Sequence, residues 1–349
     1  MQYKDSIFQF SPEALCNLFD QELAQKSFVA GQVLDWIYRK GETDFSKMSN
    51  LSKELRARLE ERFECSLPEV SAKQKSSNGE ALKLRLKLRD GKEIESVLMR
   101  EKGKTTICVS SQVGCAQGCL FCATGTMGII RNLKASEIIS QILVFKKILG
   151  ANFPKTFRLV FMGMGEPFHN LNQLFRALDI LTDPRGVGIG SRKITVSTSG
   201  VVKGIYRLME LKPQVQLAIS LHTADQELRQ KWVPNHRESV KEILAAARAF
   251  TEKTGRKITI EMVLFGGDYL KTAQLNRLGK ALQDIRCSIN AIPYNPIAGA
   301  PADFVRPTHE EIERFRSIIT RWNQEVTVRI SKGRDIQAAC GQLIVTKAA

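Results

Sequence analysis

Cys115, Cys119 and Cys122 stand together in the run Cys115-Ala-Gln-Gly-Cys119-Leu-Phe-Cys122, and thiols at that spacing can do metal chemistry. The CxxxCxxC pattern offers three thiolates within one short turn, with no fourth cysteine nearby to complete an all-thiolate cage. One position on the metal site therefore stays open. An open position suits a [4Fe-4S] cluster that binds another molecule at its unique iron, whereas structural zinc, the alternative, takes a fourth ligand close by.

Other runs could hold such a molecule. Gly163-Met-Gly165-Glu166-Pro167 is glycine-rich, so backbone groups can approach a polar ligand and the Glu166 carboxylate can accept hydrogen bonds from an amine. Alone it reads equally as a tight turn. Ser197-Thr198-Ser199-Gly200, Ser220-Leu221-His222 and Tyr294-Asn295-Pro296 add hydroxyls, an imidazole and an amide, although a buried Ser or His commonly just satisfies backbone groups. Cys108 and Cys340 stand outside the cysteine loop, and a free cysteine taken singly is most often a small buried side chain. Cys16, Cys65 and Cys287 match no motif and read as structural.

The elements that must position these groups follow from hydrophobic patterning. From about Thr105, short β-branched runs alternate with helical patterns: Thr106 to Ser110, Leu159 to Met162, Ile194 to Thr198, Leu217 to Leu221, Ile258 to Leu264 and Ile289 to Pro293. Such repetition predicts a parallel sheet. A further strand, Val326 to Ile330, follows a helix beginning near His309. Six strand-helix units and one extra strand fall short of eight, so the fold class is α/β, an incomplete (βα)6 TIM-like barrel. The chemical runs all follow strands, and barrel active sites gather at the C-terminal strand ends, so they are expected to converge.

Ahead of the barrel, three helices are predicted. Ser11 caps the first, with Pro12 at its first position and Leu15, Leu18, Phe19 and Leu23 on one side. The second carries Val33, Leu34 and Ile37; the third, from about Leu51 to Phe63, bears Lys53, Arg56, Arg58 and Arg62 on a basic face. Next, Lys83, Arg85, Lys87 and Arg89 alternate with Leu84, Leu86 and Leu88 before Asp90 and Gly91, which predicts a hairpin with one basic face. A turn centred on Asp90 and Gly91 sets Glu95 opposite Leu86, where a carboxylate among leucines would have a raised pKa and could act as a base; a strand-edge Glu in another register is the plainer reading. The chain is thus divided into a helical accessory domain (1–75), a basic hairpin linker (76–104) and a partial barrel (105–349).

Composition narrows the classes. With 43% hydrophobic and 25% charged residues, the 349-residue chain is neither disordered nor fibrous. Eight cysteines, three of them crowded together, do not form a secreted disulfide pattern. Met1 to Phe10 lacks a leader pattern and no run approaches a membrane span, which reads as a cytoplasmic protein with no membrane partner. The 52 Lys and Arg against 36 Asp and Glu leave +16, which favours a polyanionic partner.

CxxxCxxC with Phe121 and Ala123, then MGMGEP, STSG, SLH, YNP and a late Ala339-Cys340-Gly341-Gln342-Leu343 occur in that order over nearly the whole chain. Together they resemble the RlmN/Cfr family of radical S-adenosylmethionine (SAM) RNA methyltransferases, closest to RlmN. The resemblance implies a [4Fe-4S] cluster on Cys115, Cys119 and Cys122, and SAM held by Gly165, Glu166, Ser197, Ser220, Leu221, His222 and Asn295. It implies that one SAM methylates Cys340 and that a second is cleaved to a 5′-deoxyadenosyl radical, which takes hydrogen from the methylated Cys340. The carbon radical then adds to an electron-poor adenine carbon, and Cys108 resolves the adduct by a disulfide with Cys340. The same resemblance makes Glu95 the proton acceptor.

Implied partners are 23S rRNA near the peptidyl-transferase centre, tRNA beside the anticodon, and an electron donor such as flavodoxin or ferredoxin, with the chain acting as a monomer. Thr198-Ser199-Gly200 leans toward methylation at adenine C2, with a C8-methylating relative as the rival and a non-catalytic, zinc-stabilised RNA-binding protein as the reading from another class. Two runs depart from the family pattern: Phe265-Gly266-Gly267-Asp268 lacks a Val-Asn-Asp continuation, and Val233-Pro234-Asn235 lacks an Ile between Pro and Asn. Both are expected to stand clear of the cysteines.

Overall fold

The structure, a computed structural model, describes residues 4–345; residues 1–3 of the stretch read for a leader and residues 346–349 lie outside it. Ten strands form one sheet in sequence order: β1 (Glu69–Lys75), β2 (Ala81–Lys87), β3 (Glu93–Glu101), β4 (Lys104–Cys108), β5 (Arg158–Phe161), β6 (Ile194–Thr198), β7 (Gln216–Ser220), β8 (Ile258–Leu264), β9 (Cys287–Pro293) and β10 (Glu325–Val328). From β4 to β10 every pairing is parallel, and the first three strands add antiparallel ladders at the β4 edge. The sheet does not close, because β1 and β10 are its two ends. A helix follows each of β4 to β9, as the alternating pattern predicts, and β10 is the extra strand. Strand boundaries move by up to two residues: the predicted Thr106–Ser110 is Lys104–Cys108, and Val326–Ile330 ends at Val328.

Local signals account for the helices. Ser11 accepts from the Ala14 N–H at 3.2 Å, and Ser52 accepts from Leu55 at 3.1 Å, so each supplies a partner to an orphaned first-turn donor. Ser239 with Glu242 and Thr308 with Glu311 form reciprocal capping boxes on two barrel helices. In the N-terminal module, Leu15, Phe19, Val33 and Leu59 are fully buried against one another's helices. Its predicted basic face is partly consumed: Arg58 donates to the Leu23 carbonyl at 3.0 Å, and Arg62 pairs with Glu22 at 3.4 Å.

The hairpin corrects the expected register. Leu88 and Lys92 close the turn, with the Leu88 N–H donating to the Lys92 carbonyl at 2.7 Å and Gly91 at φ +76°, so three residues, Arg89 to Gly91, form the loop. A three-residue loop ending in a left-handed glycine is a common hairpin solution, and its additional residue shifts the pairing by one. Glu95 therefore sits opposite Arg85, not Leu86. It lies in the basic row, yet it is 1% exposed, because the chain's last segment covers that face.

This segment, residues 331–345, is a strap laid across the hairpin and the cysteine loop. Lys332 pairs with Glu80 at 2.8 Å, Asp335 accepts from the Ser77 N–H at 2.7 Å, and Lys83 donates to the Gln337 carbonyl at 3.3 Å. Glu95 accepts from the Ile344 N–H at 3.1 Å through one oxygen, while the other meets Lys83 at 3.2 Å and Arg85 at 3.7 Å. Lys83, one of the cations of the predicted basic face, is thus buried and committed to the strap. Among the described residues no helix is long and apolar enough to cross a membrane.

Removing one partner of a buried ion pair leaves an uncompensated charge, whereas replacing both by apolar groups is often neutral. Glu95→Leu alone should therefore cost about 3–5 kcal/mol in denaturant unfolding and speed amide exchange at Ile344. The double variant Lys83→Met/Glu95→Leu should recover most of the stability but not the Ile344 protection.

Candidate active site at the strand ends

The C-terminal ends of β5 to β9, the cysteine loop and the strap enclose one cavity of about 170 Å³. Cys115, Cys119, Cys122, Gly165, Glu166, Ser197, Ser220, His222, Asn295 and Cys340 line it. Three residues named from the sequence do not. Leu221 is fully buried, its N–H donating to the Glu261 carbonyl at 3.2 Å. Cys108 lies buried at the end of β4, and Glu95 is under the strap.

The cysteine loop is tied down from both sides. The Leu120 N–H donates to the Trp232 carbonyl at 3.0 Å, and the Asn235 side chain donates to the Ala116 carbonyl at 2.8 Å. On the strap side, Ala123 N–H donates to the Gly341 carbonyl at 2.7 Å and Thr124 Oγ1 to the Leu343 carbonyl at 2.6 Å. These bonds place Cys340 beside the three loop cysteines.

Burial pushes the Cys115 thiol up to about 12 and drives Cys119 and Cys122 up as well. Thiolates there need compensating cations, which bound metal supplies. Three thiols on one short loop are a donor set that fits a [4Fe-4S] cluster with one open iron.

Glycines of the MGMGEP run line the cavity and are also required by the packing of the chain. A Cβ at Gly163 would lie 2.7 Å from the Val109 carbonyl, and one at Gly165, φ +103°, 2.5 Å from Gln112 Cβ. Dense packing of the β5 end on the segment after β4 demands both. Glu166 accepts from the Phe168 N–H at 3.0 Å and from Ser199 N–H and Oγ at 2.7 and 2.9 Å. Of a carboxylate's roughly four acceptor sites, one remains for an amine.

His222 adopts φ +64°, and its Nδ1 accepts the Val263 N–H at 3.2 Å. Burial, then the nearby Arg229 charge, lowers its pKa to about 3, so the ring is neutral with its proton on Nε2. The Asn295 amide donates to Ser331 Oγ at 2.9 Å and to the Cys340 carbonyl at 3.2 Å, so this residue holds the strap as well as lining the cavity. Cys108 is pushed up to about 12, chiefly by burial and then by the charge of Cys340.

Both runs that depart from the family pattern touch the cysteine loop, contrary to expectation. Trp232, Val233, Phe265, Tyr294 and Phe304 form a separate apolar cluster with Phe121, against which Cys119, Leu120 and Cys122 pack. Phe265 stacks on Phe304 at 4.3 Å between centroids. These loops form the outer wall of the metal site.

Two residues were missed in the sequence. Arg229 is almost fully buried and donates to the carbonyls of Ser220 at 3.1 Å and Leu221 at 2.5 Å and to that of Ser199, tying together the ends of β6 and β7. Glu261 lines the cavity from the middle of β8. Its signal was present, since a carboxylate inside the run Ile258-Thr-Ile-Glu-Met-Val-Leu264 breaks an otherwise apolar parallel strand.

Comparison with known proteins agrees with this geometry. Residues 6–65 match the family described as ribosomal RNA large subunit methyltransferase N-terminal domain, and residues 109–275 match the radical SAM superfamily. The chain is 38% identical over 341 residues to a probable dual-specificity RNA methyltransferase RlmN of Bacillus licheniformis, covering 97% of this chain and 93% of that one. It is 39% identical to a protein of the same name from Staphylococcus carnosus, covering 92% and 88%. A crystal structure of a radical SAM methyltransferase from Sphaerobacter thermophilus superposes with a TM-score of 0.92 at 39% identity, covering 97% of this chain and 99% of that one. The chain belongs to the RlmN family of radical SAM RNA methyltransferases, whose cofactors are a [4Fe-4S] cluster and S-adenosylmethionine.

Proposed function

We propose that this chain methylates C2 of adenosine in 23S rRNA at the peptidyl-transferase centre and in tRNA 3′ of the anticodon, with Cys340 as the methyl carrier. The observation that supports it most is the strap, which holds Cys340 in the same cavity as Cys115, Cys119 and Cys122. In this reading those three cysteines hold the cluster, and Gly165, Glu166, Ser197, Ser220, Leu221, His222 and Asn295 hold SAM. When bound, the pair supplies a methyl group and a carbon-centred radical, which the electron-poor adenine carbon requires because polar methyl transfer has no path to it.

The chain's own residues do the rest. Neutral His222 and the one open acceptor site of Glu166 orient the cofactor. Cys340 carries the one-carbon unit to the base, and Cys108, buried at the end of β4, releases the product by pairing with it. Glu95 receives the proton leaving the adenine carbon once RNA loosens its clamp with Lys83 and the Ile344 N–H. Residues 1–75 serve as an RNA-gripping accessory domain, 76–104 as the hairpin that anchors the strap, and 105–349 as the catalytic unit. A flipped base would enter the cavity from its stack. The chain acts as a cytoplasmic monomer fed by a flavodoxin- or ferredoxin-like donor.

Nucleoside mass spectrometry tests this. Anaerobic incubation with SAM, reductant and unmodified rRNA fragments or tRNA should yield 2-methyladenosine, abolished by Cys340→Ala while the iron content holds. Appearance of 8-methyladenosine would move the product to C8, and no methylated adenosine on either RNA would overturn the substrate.

A further inference from the structure

Methylation of a thiol needs a thiolate, and the cavity holds Cys340 as a thiol whose proton must go somewhere. Burial pushes Cys340 upward, opposed by Arg329 and reinforced by Glu261. The candidates to take that proton are the groups that line the cavity with it. His222 is excluded, because its Nδ1 already accepts the Val263 N–H and its Nε2 carries the ring proton. Glu166 has both oxygens engaged by Phe168 and Ser199. Glu95 does not line the cavity and is clamped by Lys83, Arg85 and the Ile344 N–H.

Glu261 differs from all of these. Along β8 the side chains of Glu261 and Val263 face the cavity, while Ile260, Met262 and Leu264 are buried in the main core. The carboxylate is 6% exposed, and Oε2 accepts from the Asn290 amide at 2.7 Å. No hydrogen bond to Oε1 is present among the described residues, and Glu261 lines the cavity that Cys340 also lines. The groups facing it are Asn290 on β9, Arg329 just past β10 and Cys340 on the strap; Ser220, its register partner on β7, is uncharged.

We propose that Glu261 is the general base for methylation of Cys340, taking the thiol proton directly or through one water. The assignment rests on the reading of Cys340 as methyl carrier. The balance is simple: the Cys340 S–H proton passes to Glu261, and the sulfur's freed electron pair forms the new S–CH3 bond. The sulfonium C–S bond of SAM breaks with its pair left on the departing thioether sulfur, and Glu261 returns the proton to water. Burial raises the Glu261 pKa to about 7, with the Asn290 hydrogen bond and the Arg329 charge pulling it down, so the carboxylate is poised to accept near neutrality.

The test uses cluster-containing enzyme and methyl-deuterated SAM, with mass spectrometry of the Cys340 peptide. The labelling rate should rise through about pH 7 to a plateau. Glu261→Gln, which keeps the shape, should slow it about 10²-fold and remove that rise, while Glu261→Asp keeps a part of the rate. Asn290→Ala should move the rise to higher pH, since it deletes a bond that favours the charged form. Infrared titration, which needs no SAM, should show a protonated carboxyl band that disappears with the same midpoint, follows Asn290→Ala upward and is absent from Glu261→Gln. Unchanged labelling in Glu261→Gln, or an infrared midpoint that ignores Asn290→Ala, would overturn this assignment alone. No label on Cys340 in the unsubstituted enzyme would overturn the methyl-carrier reading and this assignment with it.

Discussion

The buried hydrogen bond from Thr124 to the Leu343 carbonyl joins residues 219 positions apart, and the site depends on that closure. A loop of this length is costly to close in entropy, and the cost must be met by contacts at its ends. The strap meets it repeatedly, through the Ala123 to Gly341 backbone bond, the Asn295 amide on the Cys340 carbonyl and the Glu95 clamp on Ile344. Each grips a different element: the cysteine loop, the end of β9 and the antiparallel hairpin. The hairpin is therefore part of the scaffold, since it extends the catalytic sheet past β4 and supplies the surface on which the strap lies.

Charge inside this enclosure is arranged with little redundancy. One carboxylate, Glu166, spends three of its acceptor sites on backbone and hydroxyl donors; a second, Glu95, is clamped by two cations; a third, Glu261, accepts from Asn290 through one oxygen only. Arg229 satisfies strand-end carbonyls and places a buried positive charge near Cys119, where thiolates must persist. The surrounding low dielectric magnifies each of these interactions, so the same groups fold the site and set its proton inventory. The aromatic wall of Trp232, Phe265 and Phe304 keeps water from the cysteine loop's outer side.

Much of this was legible in the sequence, because the alternation of β-branched runs and helical periods is a local signal. Seven parallel strands appeared where the patterning put them, and the chemical runs lay at their C-terminal ends. The register of Glu95 was not legible. It turned on whether Arg89 belongs to the strand or the loop, one residue that flips a row of side chains, and the burial of Glu95 came from a segment about 250 residues downstream. That Gly163 and Gly165 must also make room for the Val109 carbonyl and Gln112 is a tertiary requirement that no single sequence carries. Loops 233–235 and 265–268 were expected to leave the cysteines untouched because sequence distance does not report that the cluster holding Val233 and Phe265 packs on Cys119 and Cys122.

The central claim is that the strap brings Cys340 to the cavity as a covalent carrier and that Cys108 releases the product. Incubating the Cys108→Ala variant anaerobically with SAM, reductant and substrate RNA, then separating the products by denaturing electrophoresis, tests it most directly. A protein–RNA adduct whose mass maps to Cys340, and which is missing when Cys340 is also replaced, is the expected result. Normal release of methylated RNA by the Cys108→Ala variant, with no adduct at any time, would contradict it.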